Sequence, residues 1–322
     1  MSVAHTASRV VEVLKPGALT TVQDLGRVGF LHSGVPGGGA MDRLAARVAN
    51  LLVGNPANAA VLETTMAGPV LHFNADMLVA VCGAKFSGVP AWQPMVLKAG
   101  EKLSLSDLET GCRGYVAVAG GLVVPPTMAS ASTYLRAGLG GLEGRTLRKG
   151  DRLTIGQAAH AIPVDVDRWH ISPTVLPAYS TQPIVRVVRG AQWEWFAEKA
   201  QYEFFQGRYS VLPKSDRMGL RLIGTELKLS AAREMTSEPV AFGSVQVPPE
   251  GQPIVLMADR QTIGGYPRIA EVISVDLPLL AQLRPGDRLL FTLVSLEEAQ
   301  ALLLAEEHAL SRLQEGLTEK FP

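Results

Sequence analysis

Short apolar runs, each long enough for a single strand, recur along the chain between closely spaced turn residues. Runs at 77–81, 102–105, 115–119, 184–188, 227–229, 254–257, 272–275 and 289–294 read as strands. Such punctuation favours barrels or sandwiches over alternating strands and helices. Three stretches carry helical spacing instead. Residues 41–52 place Leu44, Ala45, Val48, Leu51 and Leu52 on one face, and Gly54-Asn55-Pro56 ends the helix. Residues 191–205 carry Trp193, Phe196, Ala200 and Phe204. Residues 296–313 follow Ser295 and Glu298, a capping box.

An internal echo points to duplication. Leu147-Arg148-Lys149-Gly150-Asp151-Arg152-Leu153 is matched by Leu283-Arg284-Pro285-Gly286-Asp287-Arg288-Leu289. Each follows a buried strand and a glycine pair, Gly120-Gly121 in one half and Gly264-Gly265 in the other. A Gly-Asp turn alone is commonplace, so the shared order is the better argument. Residues 161–183 are rich in Pro, Ser, Thr and polar residues and read as a linker. The expected division is an N-terminal domain at 1–165, a linker at 166–183, and a C-terminal domain with a terminal helix at 184–322.

Composition narrows the function. A chain of 322 residues can bury two cores. Lysine plus arginine (30) equals aspartate plus glutamate (30), which gives no electrostatic case for nucleic acid or an anionic membrane. No apolar run approaches the roughly 20 residues of a membrane span. The N-terminus lacks the basic segment and apolar core of an export signal, so a cytoplasmic protein is the plain reading. Cys82 and Cys112 offer no disulfide framework, and His5, His32, His72, His160, His170 and His308 show no ligand spacing, so no metal site is expected. There is no Gly-x-Ser-x-Gly elbow, no Gly-x-x-x-x-Gly-Lys-Ser/Thr loop and no Met-Lys-Met biotin acceptor.

The most informative stretch is Pro253-Ile254-Val255-Leu256-Met257-Ala258-Asp259-Arg260-Gln261-Thr262-Ile263-Gly264-Gly265-Tyr266-Pro267. Four hydrogen-bonding side chains end a buried strand, where each needs a partner. They form either a structural Asp–Arg network or the floor of a binding site. Their company is Ser215-Asp216-Arg217-Met218-Gly219, Gly243-Ser244-Val245-Gln246, Thr21-Val22-Gln23-Asp24-Leu25-Gly26-Arg27 and Gly37-Gly38-Gly39-Ala40-Met41-Asp42. The three glycines let backbone approach a ligand, and the helix that follows offers free amides to an anion. Asp42 in its first turn suits the helix dipole but would repel a phosphate.

Together these segments resemble the family of the biotin-dependent carboxyltransferase domain of urea carboxylase. That family includes allophanate hydrolase subunit 2, the Kip antagonist and the C subunit of the ATP-dependent 5-oxoprolinase. The resemblance runs from about residue 11 to residue 291. Because the chain ends after one terminal helix, it resembles the stand-alone C subunit more than the multidomain urea enzyme. The resemblance implies a mainly β fold, two tandem cyclophilin-like β-barrel domains with a site between them. It implies a small-molecule substrate, 5-oxoproline, opened to glutamate with two partners: a B-type cyclophilin-fold protein and an A-type lactam-utilisation protein. ATP would bind somewhere in that complex. The alternatives are carboxyl transfer to a urea-like nitrogen, with biotin on a separate carrier, and a non-catalytic antagonist of a kinase inhibitor.

Asp216, Arg217, Asp259 and Arg260 are the candidate catalytic residues. Gln23, Asp24, Arg27, Gly38, Asp42, Gln246, Gln261, Thr262 and Tyr266 are the candidate substrate-binding residues. Arginine can grip a carboxylate or oxyanion through paired donors, aspartate can orient it or take a proton, and Gln or Thr can read an amide. One departure stands out. The family's Gly-Ser-Arg-Ser-Thr run reads Ala129-Ser130-Ala131-Ser132-Thr133 here, with alanine in place of arginine.

Overall fold

The structure, a computed structural model, describes residues 8–321. It is mainly β, and the chain divides into two compact units. The first unit takes the chain as far as Gly26, then Arg43–Ser172, and the chain from Arg312 onward. The second takes Arg27–Asp42 and Pro173–Ser311.

The first unit is built from two antiparallel sheets. One orders Lys102–Ser104, Val70–Phe73, Val10–Lys15 and Arg152–Thr154; the other orders Leu19–Gln23, Val61–Thr65, Leu108–Val118, Met77–Phe86 and Gln93–Leu97. Alternation along each strand turns one set of side chains inward. Val11, Val13, Leu71 and Phe73 of the first sheet therefore share a core with Leu62, Val79, Val81 and Val116 of the second. Helix α1 (Arg43–Leu52) buries Leu44, Ala45, Val48 and Leu52. Asn50 and Asn55 fasten it, donating to Ala59 O at 2.8 Å and to Val118 O at 2.9 Å.

The second unit contains a closed barrel. Its strands run Ile184–Arg189, Arg268–Val272, Ser244–Gln246, Ile254–Leu256, Gly219–Ile223, Tyr209–Val211 and Arg288–Leu293. Parallel pairing of Ile184–Arg189 with Arg288–Leu293 closes the ring, so no strand edge is left open. Val185, Val187, Val245, Val255, Ile269 and Leu289 fill it. Helix α2 (Glu198–Gln206) adds Phe204, which stacks on Phe291 with ring centroids 4.6 Å apart. Helix α3 (Leu277–Ala281) is short, and helix α4 (Leu296–Thr318) starts where Ser295 Oγ accepts from Glu298 N at 3.1 Å. Among the described residues no helix is long and apolar enough to cross a membrane.

Two predicted strands differ. Residues 227–229 form no strand: Leu227 is buried, while Leu229 makes one isolated bridge to Phe196. The strand expected at 272–275 ends at Val272, and Ser274–Asp276 turns as a short 3-10 helix. That turn presents Asp276 to Arg186, which donates from N at 2.6 Å, Nε at 3.0 Å and Nη2 at 2.5 Å.

The sequence echo is realised as one turn built twice. Arg148 N donates to Asp151 Oδ2 at 2.7 Å, and Arg284 N to Asp287 Oδ2 at 2.8 Å. Gly150 and Gly286 hold φ of 89° and 93°, which a side chain would resist. Their amides bond Val13 O and Val211 O, each at 2.8 Å. Both turns thus feed a strand alongside its neighbour in the same way.

Candidate functional site

In the second unit the strand ending at Leu256 carries Met257 and Ala258 into the buried Asp259. Arg217, from the turn before Gly219–Ile223, meets that carboxylate at two points: Nε to Oδ2 at 2.8 Å and Nη2 to Oδ1 at 2.9 Å. Each side chain is 7% exposed. Such paired, planar contact is the strongest geometry open to an arginine and a carboxylate. Nη2 also donates to Gly39 O at 2.7 Å, and Gly38 N donates to Ala258 O at 3.2 Å. The pair therefore fixes the triple-glycine loop against the strand end. Gly38 spends its amide on that contact, so the loop is anchored here by its own backbone.

Asp42, fully buried, accepts from Tyr179 Oη at 2.5 Å and Gln282 Nε2 at 2.9 Å. Arg27 is buried in this unit as well, with its N bonded to Gly37 O at 2.6 Å. Asp216 is exposed and caps its own turn, accepting from Met218 N at 2.8 Å and Gly219 N at 3.2 Å. Asp259 is paired with Arg217, 42 residues earlier, whereas the adjacent Arg260 turns to Val240 O at 3.2 Å.

Arg260, Gln261 and Thr262 are half-buried and Tyr266 is exposed, so these side chains face a surface a solute can reach. Gln246 is buried beside them: its Nε2 donates to Tyr266 O at 3.1 Å and its Oε1 accepts from Gln261 Nε2 at 3.3 Å. Next to them lies a cluster absent from the sequence reading. Burial pushes the Glu271 carboxyl up, opposed by the hydrogen bond from Ser244 Oγ and the charges of Arg268 and Arg260. Arg268 donates to Glu238 Oε2 at 2.7 Å. The available signal was two charged residues inside one barrel strand, Arg268-Ile269-Ala270-Glu271-Val272.

Gln23 and Asp24 belong to the first unit. Asp24 is a hub: it accepts from Gly26 N at 2.8 Å, Ser130 Oγ at 2.7 Å, Ala131 N at 2.6 Å and, very closely, Ser132 Oγ. Asp24 N in turn donates to Ser132 Oγ at 3.0 Å. The serines on either side of the Ala131 departure thus grip Asp24, while Ala131 itself is half-buried. Gln23 donates to Thr133 O at 3.1 Å and Thr21 Oγ1 at 3.0 Å. Its buried Oε1 has no donor among the described residues, which leaves one acceptor unmet. Also among the described residues, no group of three or more His, Cys, Asp or Glu side chains could hold a metal ion.

Comparison with known proteins places this architecture. The profile of the carboxyltransferase domain, subdomain A and B, matches residues 33–293. The chain is 38% identical to the 5-oxoprolinase C subunit of Haemophilus influenzae over 97% of this chain and 100% of that protein. It is 42% identical to the 5-oxoprolinase C subunit of Escherichia coli over 90% of this chain and 93% of that one. The crystal structure of the Kluyveromyces lactis urea carboxylase superposes with a TM-score of 0.89 at 28% identity, covering 99% of this chain and 31% of that protein. The larger K. lactis urea amidolyase also superposes with a TM-score of 0.89, the chain spanning 21% of its length. With the profile covering most of the sequence and the fold shared throughout, this chain belongs to the carboxyltransferase domain family, subdomains A and B.

Proposed function

We propose that this chain is the C subunit of a 5-oxoprolinase, the enzyme that opens the lactam of 5-oxoproline to glutamate. The observation that carries the reading is near end-to-end similarity to two bacterial proteins of that name, at 38% and 42% identity. The chemistry of the second unit agrees with it. The substrate carries a carboxylate and an amide. Arg260 supplies a cation for the first, and Gln261, Thr262 and Gln246 supply amide and hydroxyl groups for the second. Arg217 and Asp259 act behind them as positioning residues. A lactam is a poor electrophile; phosphoryl transfer from ATP to its oxygen would make that oxygen a leaving group. Water then adds to the carbonyl carbon and the ring C–N bond breaks with the nitrogen taking a proton, which leaves an acyl phosphate. A second water hydrolyses that to the side-chain carboxylate of glutamate and phosphate. Fixed cationic donors favour the charge that develops on oxygen.

In this reading ATP is consumed within a complex that includes an A-type lactam-utilisation partner and a B-type cyclophilin-fold partner, in the cytoplasm. The test is direct. The purified chain alone should release no glutamate and show no 5-oxoproline-dependent ATP hydrolysis, and co-expression with both partners should restore both. Robust turnover by the isolated chain would sink the idea.

A second reading rests on the likeness to urea carboxylase and urea amidolyase. It is carboxyl transfer from biotin on a separate carrier to a urea-like nitrogen. Inhibition of the assembled complex by avidin would favour it over the first.

A further inference from the structure

The C-terminal part of α4 and the segment from Arg168 to Ile171 line a half-open cavity of about 400 Å³, all of it within the first unit. None of its lining residues belongs to the clusters described above. Its volume suits a small organic molecule.

Three features give it a chemical preference. First, its charged lining is of one sign. Arg168, Arg312 and Lys320 line it together with His170, and no aspartate or glutamate does. Among the described residues none of the three cations has an ion-pair partner; Lys320 lies only over the Trp169 ring, 5.4 Å from its centroid. In a chain with equal numbers of acidic and basic residues, unbalanced cations around one concavity raise the local concentration of anions. Second, the remaining wall is apolar, from Leu52, Ile171, Leu313 and Leu317. Third, Trp169 also lines the cavity and adds an aromatic ring to its apolar wall.

Gly316 adds an independent argument. It sits inside α4, where glycine weakens a helix relative to alanine. Close packing does not require it, because a Cβ at this position would meet nothing within 4 Å. What its missing side chain does is leave the cavity open.

We propose that this cavity binds an organic anion with an apolar body, the charged group held among Arg168, His170, Arg312 and Lys320 and the body lying along α4. The probe is 8-anilinonaphthalene-1-sulfonate, an aromatic sulfonate, titrated by fluorescence into the whole chain. Its neutral counterpart N-phenyl-1-naphthylamine serves as the control. Saturable one-to-one binding of the sulfonate is expected, with no saturable binding of the neutral dye. Gly316→Met fills the cavity, and the Arg168→Ala/Arg312→Ala double substitution removes two cations. Each should weaken sulfonate binding at least tenfold. Gly316→Met should melt no lower than the parent chain, which keeps blocked binding separate from unfolding. Equal affinity for the neutral dye, or undiminished sulfonate binding in both variants, would overturn the proposal.

Discussion

Arg217 and Asp259, separated by 42 residues, form a buried two-point ion pair whose guanidinium also holds the carbonyl of Gly39. The contact joins three separate motifs of the sequence in one place: the Ser-Asp-Arg-Met-Gly turn, the Asp-Arg-Gln-Thr strand end and the triple glycine. Because both groups are desolvated, removing one strands the other. Asp259→Asn or Arg217→Met should each lower stability by about 3–5 kcal/mol, and the Arg217→Met/Asp259→Leu double should lose less than either single. Urea unfolding of the three variants measures this. A single-variant loss below about 1 kcal/mol would show that the pair is solvent-relaxed rather than buried.

Asp24 takes four hydrogen bonds on two oxygens, and an asparagine offers only one oxygen to accept them. Asp24→Asn should therefore leave buried donors around Ser130 and Ser132 unmet and lower stability by about 1–3 kcal/mol. Thermal unfolding reads the loss. Ser132→Ala, which removes one donor and leaves the carboxylate with others, should cost less.

Gly264 packs against the amide of Gln246, where an added methyl would collide with a flexible side-chain end. Gly264→Ala should displace Gln246 from Tyr266 O and Gln261 without unfolding the barrel, while the reconstituted complex loses turnover. Gly190→Ala is the contrasting control. There the methyl would meet the backbone of Arg268 and Ala270, so the barrel itself should be destabilised. Unchanged turnover in Gly264→Ala would remove Gln246 from the substrate site.

The Asp151 turn gives a pH-dependent signature. Hydrogen bonds from Arg145 come first among the causes that hold the Asp151 carboxyl below its usual value, and Arg148 N adds another. A depressed folded-state pKa stabilises the fold above the unfolded-state value of about 3.9 and loses that stabilisation as pH falls through the folded-state value. The stability gap between the parent chain and Asp151→Asn should thus be constant above about pH 5 and close progressively in more acid solution. Denaturant titrations across this range test it. A gap that persists unchanged at the acid end would mean that the carboxylate charge contributes nothing.

Much of the fold was legible because local signals and tertiary packing agreed. The apolar face of residues 41–52 became α1, Ser295 began α4, and both Gly-Asp turns formed with the same hydrogen bonds, since turn chemistry is set within a few residues. The polar motifs were equally visible as clusters. Their pairing was not. Adjacency suggested Asp259 with Arg260, but successive residues near a strand end point in different directions, and Arg217 reached the carboxylate from another strand's turn. Residues 27–42 read as part of the first half, yet they pack within the second unit, because Met41 enters its core and Asp42 meets Tyr179 and Gln282. Glu271 offered no signal beyond a charge within a strand, since its raised pKa comes from burial. The sequence by itself determined the apolar face of α1, the two Gly-Asp turns, the polar clusters and part of the strand pattern, because those depend on neighbours along the chain. Only the tertiary structure decided which carboxylate meets which guanidinium, because burial and distance between remote residues exist only once the barrel has closed.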